Sequence, residues 1–137
     1  ITLEMYEDTY VGTCDDAVQF LKEVGHDACG LNPDIGNFIR LHRPIEPVQD
    51  MLDKVLPYAN YWHVKNYLRD EDPKTGQVMT FPVPMEFGLI NYRAAISQAL
   101  GLGFSGAFLC EHYGSDAITV IGKNRAYVRD ILATLID

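Results

Sequence analysis

Cysteines, cations and long apolar runs are scarce in this chain, and each scarcity excludes something. Cysteine occurs three times, at Cys14, Cys29 and Cys110, an odd number with no CxxC spacing, so neither a disulfide framework nor a zinc knuckle is encoded. Two of the three sit inside apolar segments, where a reduced thiol packs as a small hydrophobe, and an intracellular, cytoplasmic setting is the expectation. Cations are few: 11 Lys and Arg stand against 19 Asp and Glu, a formal charge of −8. Since the basic residues are scattered singly, a nucleic-acid backbone is not an expected partner. Long apolar runs are missing too, each falling far short of the roughly 20 residues a membrane helix needs, and no basic n-region precedes an apolar stretch. Nor is there an initiator methionine, so a chain that enters an apolar segment at Ile1 is expected to be cut rather than begun.

What is present is an ordinary folded domain, 47% apolar and 22% charged over 137 residues, with 1–137 read as a single domain. Residues 1–6 (ITLEMY) suit a strand and loop. Thr13 offers an N-cap with Asp16 three residues on, Ala17, Phe20, Leu21 and Val24 keep helical spacing, and Gly25 ends the helix. Residues 28–33 (ACGLNP) read as a second strand, followed by a helical stripe at Val48, Met51, Leu52, Val55 and Leu56 that Pro57 closes. Residues 60–65 (NYWHVK) are a third strand. Residues 68–90, with three prolines and two glycines, read as a long lid or binding loop. A helix with Tyr92, Ala95, Ile96, Ala99 and Leu100 on one face, a strand at 104–110 (FSGAFLC), and a terminal helix marked by Val128, Ile131, Leu132 and Leu135 complete a (βα)₄ pattern. Alternation of this kind implies parallel strands with right-handed crossovers, either as an open doubly wound sheet or as half of a (β/α)₈ barrel. Half a barrel also accounts for the abrupt start.

In such folds chemistry is done at the C-terminal ends of the strands. Four side chains stand there: Glu4, Asp34, His63 and Glu111, spaced by 30, 29 and 48 residues. Each alone is ordinary, but each strand delivers one metal-competent group at an equivalent place. Three carboxylates in one cleft would repel one another unless a divalent cation offset the charge, and three oxygens with one imidazole suit Mn²⁺, Mg²⁺ or Co²⁺ and tolerate Zn²⁺. Lys65, two positions after His63, points to the same side of a strand, either toward a substrate oxygen or snorkelling into solvent. Trp62 and Val64 should be core and His112 structural, and Tyr10, Tyr67 and Phe81 are candidates for the pocket wall.

These residues carry a family resemblance. LEMY, the GLNPDIGN turn, WHVKN, FGLINY and GAFLCEHYGSD together resemble the xylose isomerase-like TIM-barrel superfamily of sugar-phosphate isomerases and epimerases, over essentially the whole chain and as its C-terminal half, strands five to eight. The resemblance implies that Glu4, Asp34, His63 and Glu111 bind one divalent metal. It also places Asn37 where relatives often carry a substrate-contacting histidine, and Arg69 where an arginine commonly touches substrate oxygens. The implied activity is aldose-ketose isomerisation or ketose epimerisation of a small sugar or sugar phosphate through a metal-stabilised enediolate, with Glu4 and Glu111 exchanging the proton from opposite sides.

Two other readings remain open from the sequence: a keto-polyol dehydratase of the same fold, and a catalytically incomplete half-barrel or sugar-binding module. Multi-zinc phosphodiester cleavage would need extra site histidines and a basic groove, and neither is encoded. The expected partners are therefore a small-molecule sugar or sugar derivative and, through the open face of a half barrel, a second copy of the chain.

Overall fold

The computed structural model describes residues 1–136. Four short parallel strands make its frame. Strand β1 (Thr2–Glu4) pairs with β2 (Gly30–Asn32), and β3 (Trp62–Val64) pairs with β6 (Phe108–Cys110). The two pairs are joined ahead of β3, where Leu31 bridges to Ala59 in parallel register and the Leu31 carbonyl accepts from Asn60 N at 3.0 Å. The spatial order is thus β1, β2, β3, β6. Strands that neighbour one another in chain order form a barrel segment, whereas a doubly wound sheet reverses its order at a switch point.

Helices cover one side of these strands, and local chemistry sets their limits. Helix α1 (Cys14–Val24) starts where Thr13 accepts from Asp16 N, and it ends at Gly25. After the one-turn α2 (Gly36–Ile39), helix α3 (Val48–Val55) buries Met51, Leu52 and Val55, then tightens into a 3₁₀ turn at Leu56–Tyr58 that holds Pro57. Helix α4 (Tyr92–Gly101) is capped by Asn91 and buries Tyr92, Ala95, Ile96 and Ala99. Trp62 and Val64 lie in the core beneath it, with Trp62 ringed by Tyr92, Phe104 and Phe108.

Two segments differ from the sequence-based expectation. Residues 68–90, read as an irregular lid, contain an antiparallel hairpin of β4 (Asn66–Glu71) and β5 (Val78–Val83) whose turn is closed by Asp72 and by Gly76 at φ 69°. Leu68, Met79 and Phe81 are exposed on it, so no apolar alternation marks the strands, and Pro82 in β5 reads as a breaker although it lies opposite Tyr67. The terminal helix α5 (Ala117–Leu135) begins well before the Val128 stripe. Its first buried residue is polar: Asn124 Oδ1 accepts from Met85 N at 2.9 Å, while Ile118 lies in solvent.

Asn66 ties the hairpin to the barrel frame. Its Nδ2 donates to the carbonyls of Met85 (2.7 Å) and Ile90 (2.8 Å), and its Oδ1 accepts from Ile90 N and Tyr67 N, so every polar atom of this buried side chain is paired. Replacing it strands backbone groups in the core. We expect Asn66→Ala to lower unfolding stability by about 3 kcal/mol, measured by urea denaturation with Asn66→Asp alongside it, since such unpaired buried groups cost roughly 1–3 kcal/mol each.

Candidate metal centre

The C-terminal ends of the four parallel strands bring Glu4, Asp34, His63 and Glu111 together. The register fixes this: Glu4 ends β1 opposite Asn32, and Asn32 Oδ1 accepts from His63 N at 2.7 Å, locking the start of β3 against the end of β2. Glu111 N donates to the Val64 carbonyl at 3.0 Å, which carries the β3–β6 ladder into the site. Around the His63 ring, Nδ1 lies 3.0 Å from Glu111 Oε1, 3.4 Å from Glu4 Oε1 and 3.7 Å from Asp34 Oδ2. Tyr61 meets the ring edge-on and steadies it. Glu4, Asp34 and His63 each present a ligand atom within 4.8 Å of the others.

The donor set fits a divalent cation. Although His63 Nδ1 is surrounded by carboxylates, it is buried without a partner of hydrogen-bond geometry, as is Asp34 Oδ1. Oxygen donors with one imidazole are the hard, mixed set that Mg²⁺, Mn²⁺ and Co²⁺ accept. Burial pushes the Asp34 carboxyl up to about 6 even though the Lys65 ammonium pulls it down, with Glu111 and Glu4 adding to the rise.

The remaining sequence candidates fall in different places. Lys65 does not snorkel: it is only 1% exposed, and its Nζ donates to Asp34 Oδ2 (2.7 Å) and Glu111 Oε2 (2.8 Å). Burial opposes its charge, yet the two carboxylates hold it above the usual lysine range. Asn37 is buried, with Nδ2 donating to the Met5 carbonyl at 3.0 Å and lying 3.5 Å from Glu4 Oε1, so it braces the end of β1. Arg69 is engaged with the main chain. Its guanidinium donates to the carbonyls of Ile39, Leu41 and Arg43, so β4 pins the chain after α2.

A cleft of about 410 Å³ adjoins the cluster, lined by Tyr6, Arg40, His42, Tyr67, Thr80 and Tyr113. Of the three aromatic wall candidates only Tyr67 lines it; Tyr10 lies wholly in solvent and Phe81 projects from the hairpin. Tyr6, Arg40 and Tyr113 escaped the sequence reading. Arg40 pairs with Glu7 and donates to Tyr6 Oη at 2.8 Å, and the Tyr113 ring faces Lys65 Nζ at 4.6 Å. Tyr113 was within reach of inference, lying two residues after Glu111, whereas Arg40 depends on the path of the chain after α2.

With this geometry in place, comparison with known proteins decides the family. A family model described as xylose isomerase-like TIM barrel matches residues 1–135. The chain belongs to that family. A xylose isomerase-like TIM barrel protein from Mycobacterium smegmatis, crystallised in complex with magnesium, is 55% identical with a TM-score of 0.97, over 99% of this chain and 44% of that one. A xylose isomerase domain protein from Planctomyces limnophilus shares the fold at 21% identity and TM-score 0.70, covering 98% of this chain and 45% of its own. The probable 3-DHS dehydratase AsbF of Bacillus anthracis, involved in petrobactin synthesis, does so at 18% identity and TM-score 0.61, covering 93% and 48%. The chain thus spans less than half the length of each. A search of curated proteins found no match. Among the described residues no helix is long and apolar enough to cross a membrane.

The raised Asp34 carboxyl gives a pH signature of the metal-free protein. An acid whose folded pKa exceeds its unfolded value near 3.8 takes up protons on folding, so its contribution to stability falls as pH rises from about 4 to about 6. In chelator, we expect the melting temperature of wild type minus that of Asp34→Asn to drop across this window and then level off. Calorimetry at half-unit pH steps measures it.

Proposed function

We propose that this chain is the C-terminal half, strands five to eight, of a divalent-metal-dependent isomerase or epimerase acting on a small sugar or sugar phosphate. The convergence of Glu4, Asp34, His63 and Glu111 at the ends of four neighbouring parallel strands carries the reading. The magnesium complex of the 55%-identical relative supports it.

Glu4, Asp34, His63 and Glu111 would hold the cation, whose Lewis acidity toward a carbonyl and adjacent hydroxyl acidifies the C–H between them. The proton work belongs to the chain. Glu4 and Glu111 reach the centre from the two outer strands of the series, so a substrate seated between them meets one carboxylate from each side. One removes the proton and the other returns it, to the opposite face in an epimerase. Asn37 steadies Glu4, and Lys65 holds Glu111 by its Oε2 and leaves Oε1 turned toward His63. The cleft bounded by Tyr6, Tyr67 and Tyr113 receives the rest of the substrate.

In the whole barrel the first four strands cover the face on which Leu109, paired with His63, is 43% exposed. Without them that face and the edges of β1 and β6 invite pairing with a second copy.

Glu111→Gln keeps the shape of the side chain and removes its basicity. In the full-length protein it should fold normally and cut exchange of solvent deuterium into the substrate carbon by at least about a hundredfold, the usual size of a general-base contribution. Mass spectrometry of ketose and aldose substrates reads the exchange. A product lacking the elements of water would identify dehydration from the same deprotonated carbon. Undiminished exchange would remove Glu111 from the proton transfer.

A further inference from the structure

Lys65 is held more firmly than a substrate-binding lysine needs to be. Its backbone is gripped on both sides by one hydroxyl: Tyr92 Oη accepts from Lys65 N at 3.1 Å and donates to the Lys65 carbonyl at 2.7 Å. Its aliphatic stem crosses Gly36, where a β-carbon would stand 2.7 Å from Lys65 Cγ and 3.2 Å from Cε. Only glycine leaves that passage open. Its ammonium is bonded to Asp34 Oδ2 and Glu111 Oε2, faces the Tyr113 ring at 4.6 Å, and is shut away from solvent. Backbone, stem and head are thus each fixed by a different element.

The oxygens it takes are informative. Asp34 Oδ2 is also that carboxylate's nearest oxygen to His63 Nδ1, whereas Glu111 divides its two oxygens between Lys65 and His63. A cation held beside His63 by these carboxylates would therefore sit close to a fixed positive charge.

We propose that Lys65 is a resident counter-ion of the metal centre: it keeps Asp34 and Glu111 gathered when no metal is bound, and it limits how tightly a divalent cation is held there. The proposal rests on the metal reading above and differs from a substrate-binding role for the same lysine. A positive charge a few ångströms from a divalent ion raises its free energy even at the moderate effective dielectric of a protein interior. With three carboxylates and no ammonium the site would be an over-strong chelator; with it, the cation stays exchangeable.

The test uses the full-length protein and Mn²⁺ as the probe, with calorimetric titration for affinity and melting in chelator for the metal-free state. Lys65→Met keeps length and apolar stem while removing the charge. It should melt below wild type in chelator, regain that loss with Mn²⁺, and bind Mn²⁺ at least about tenfold more tightly, the direction Coulomb repulsion dictates. Lys65→Arg, which keeps the charge, should stay near wild type in affinity.

Weaker Mn²⁺ binding by a folded Lys65→Met would overturn the counter-ion role and leave the metal reading standing, as would a chelator melt identical to wild type. Failure of wild type itself to take up Mn²⁺ would instead overturn the metal reading. Should Lys65→Met fold only when Mn²⁺ is supplied, that dependence supports the proposal directly.

Discussion

Three carboxylates and one imidazole crowd into a space a few ångströms across, with a single buried ammonium to offset them. Much of the molecule is arranged around that charge. Like charges so close destabilise one another unless protonation, a counter-ion or a bound cation intervenes: burial, with Glu111 and Glu4 adding to it, pushes the Asp34 carboxyl up to about 6, and Lys65 is bonded to two of the three acids. A bound divalent cation would be the third. The cluster is costly in a bare protein and well suited to a metalloenzyme, and this balance carries the functional reading more firmly than any one residue does.

The frame that imposes the crowding is small and tightly registered. Parallel pairing sets Glu4 beside Asn32, Asn32 holds the main chain of His63, and Glu111 extends the ladder from β6 to Val64. A one-residue slip in any of these strands would turn its acid or histidine toward the helices. Register is protected from behind by the aromatic core around Trp62 and from above by Asn66, which fastens the hairpin to the residues that follow it.

The sequence made the candidate residues legible because each lies in or just after a short strand at a similar place in its βα unit, a pattern that survives without any knowledge of contacts. Family membership was legible for a related reason, since WHVKN and GAFLCEHYGSD keep their chemistry-bearing residues contiguous. The hairpin was not, because Leu68 and Phe81 face solvent and no alternation betrays a strand whose two faces are both partly wet. Nor were the contacts of Arg69 with the Ile39 and Leu41 carbonyls legible, because its spacing from His63 says nothing of the hairpin that carries it. Lys65 was placed on the correct face, but that its ammonium would be enclosed by Asp34 and Glu111 depends on contacts across 31 and 46 residues, beyond the reach of local pattern.

On this reading the cluster is a single divalent-metal site. Anomalous diffraction at the manganese edge from crystals of the full-length protein grown with Mn²⁺ tests it most directly. One strong peak is expected, bounded by Glu4, Asp34, His63 and Glu111, with ligand distances of about 2.0–2.3 Å and the Lys65 ammonium still on Asp34. A peak elsewhere, with these four side chains free of metal at saturating Mn²⁺, would contradict it.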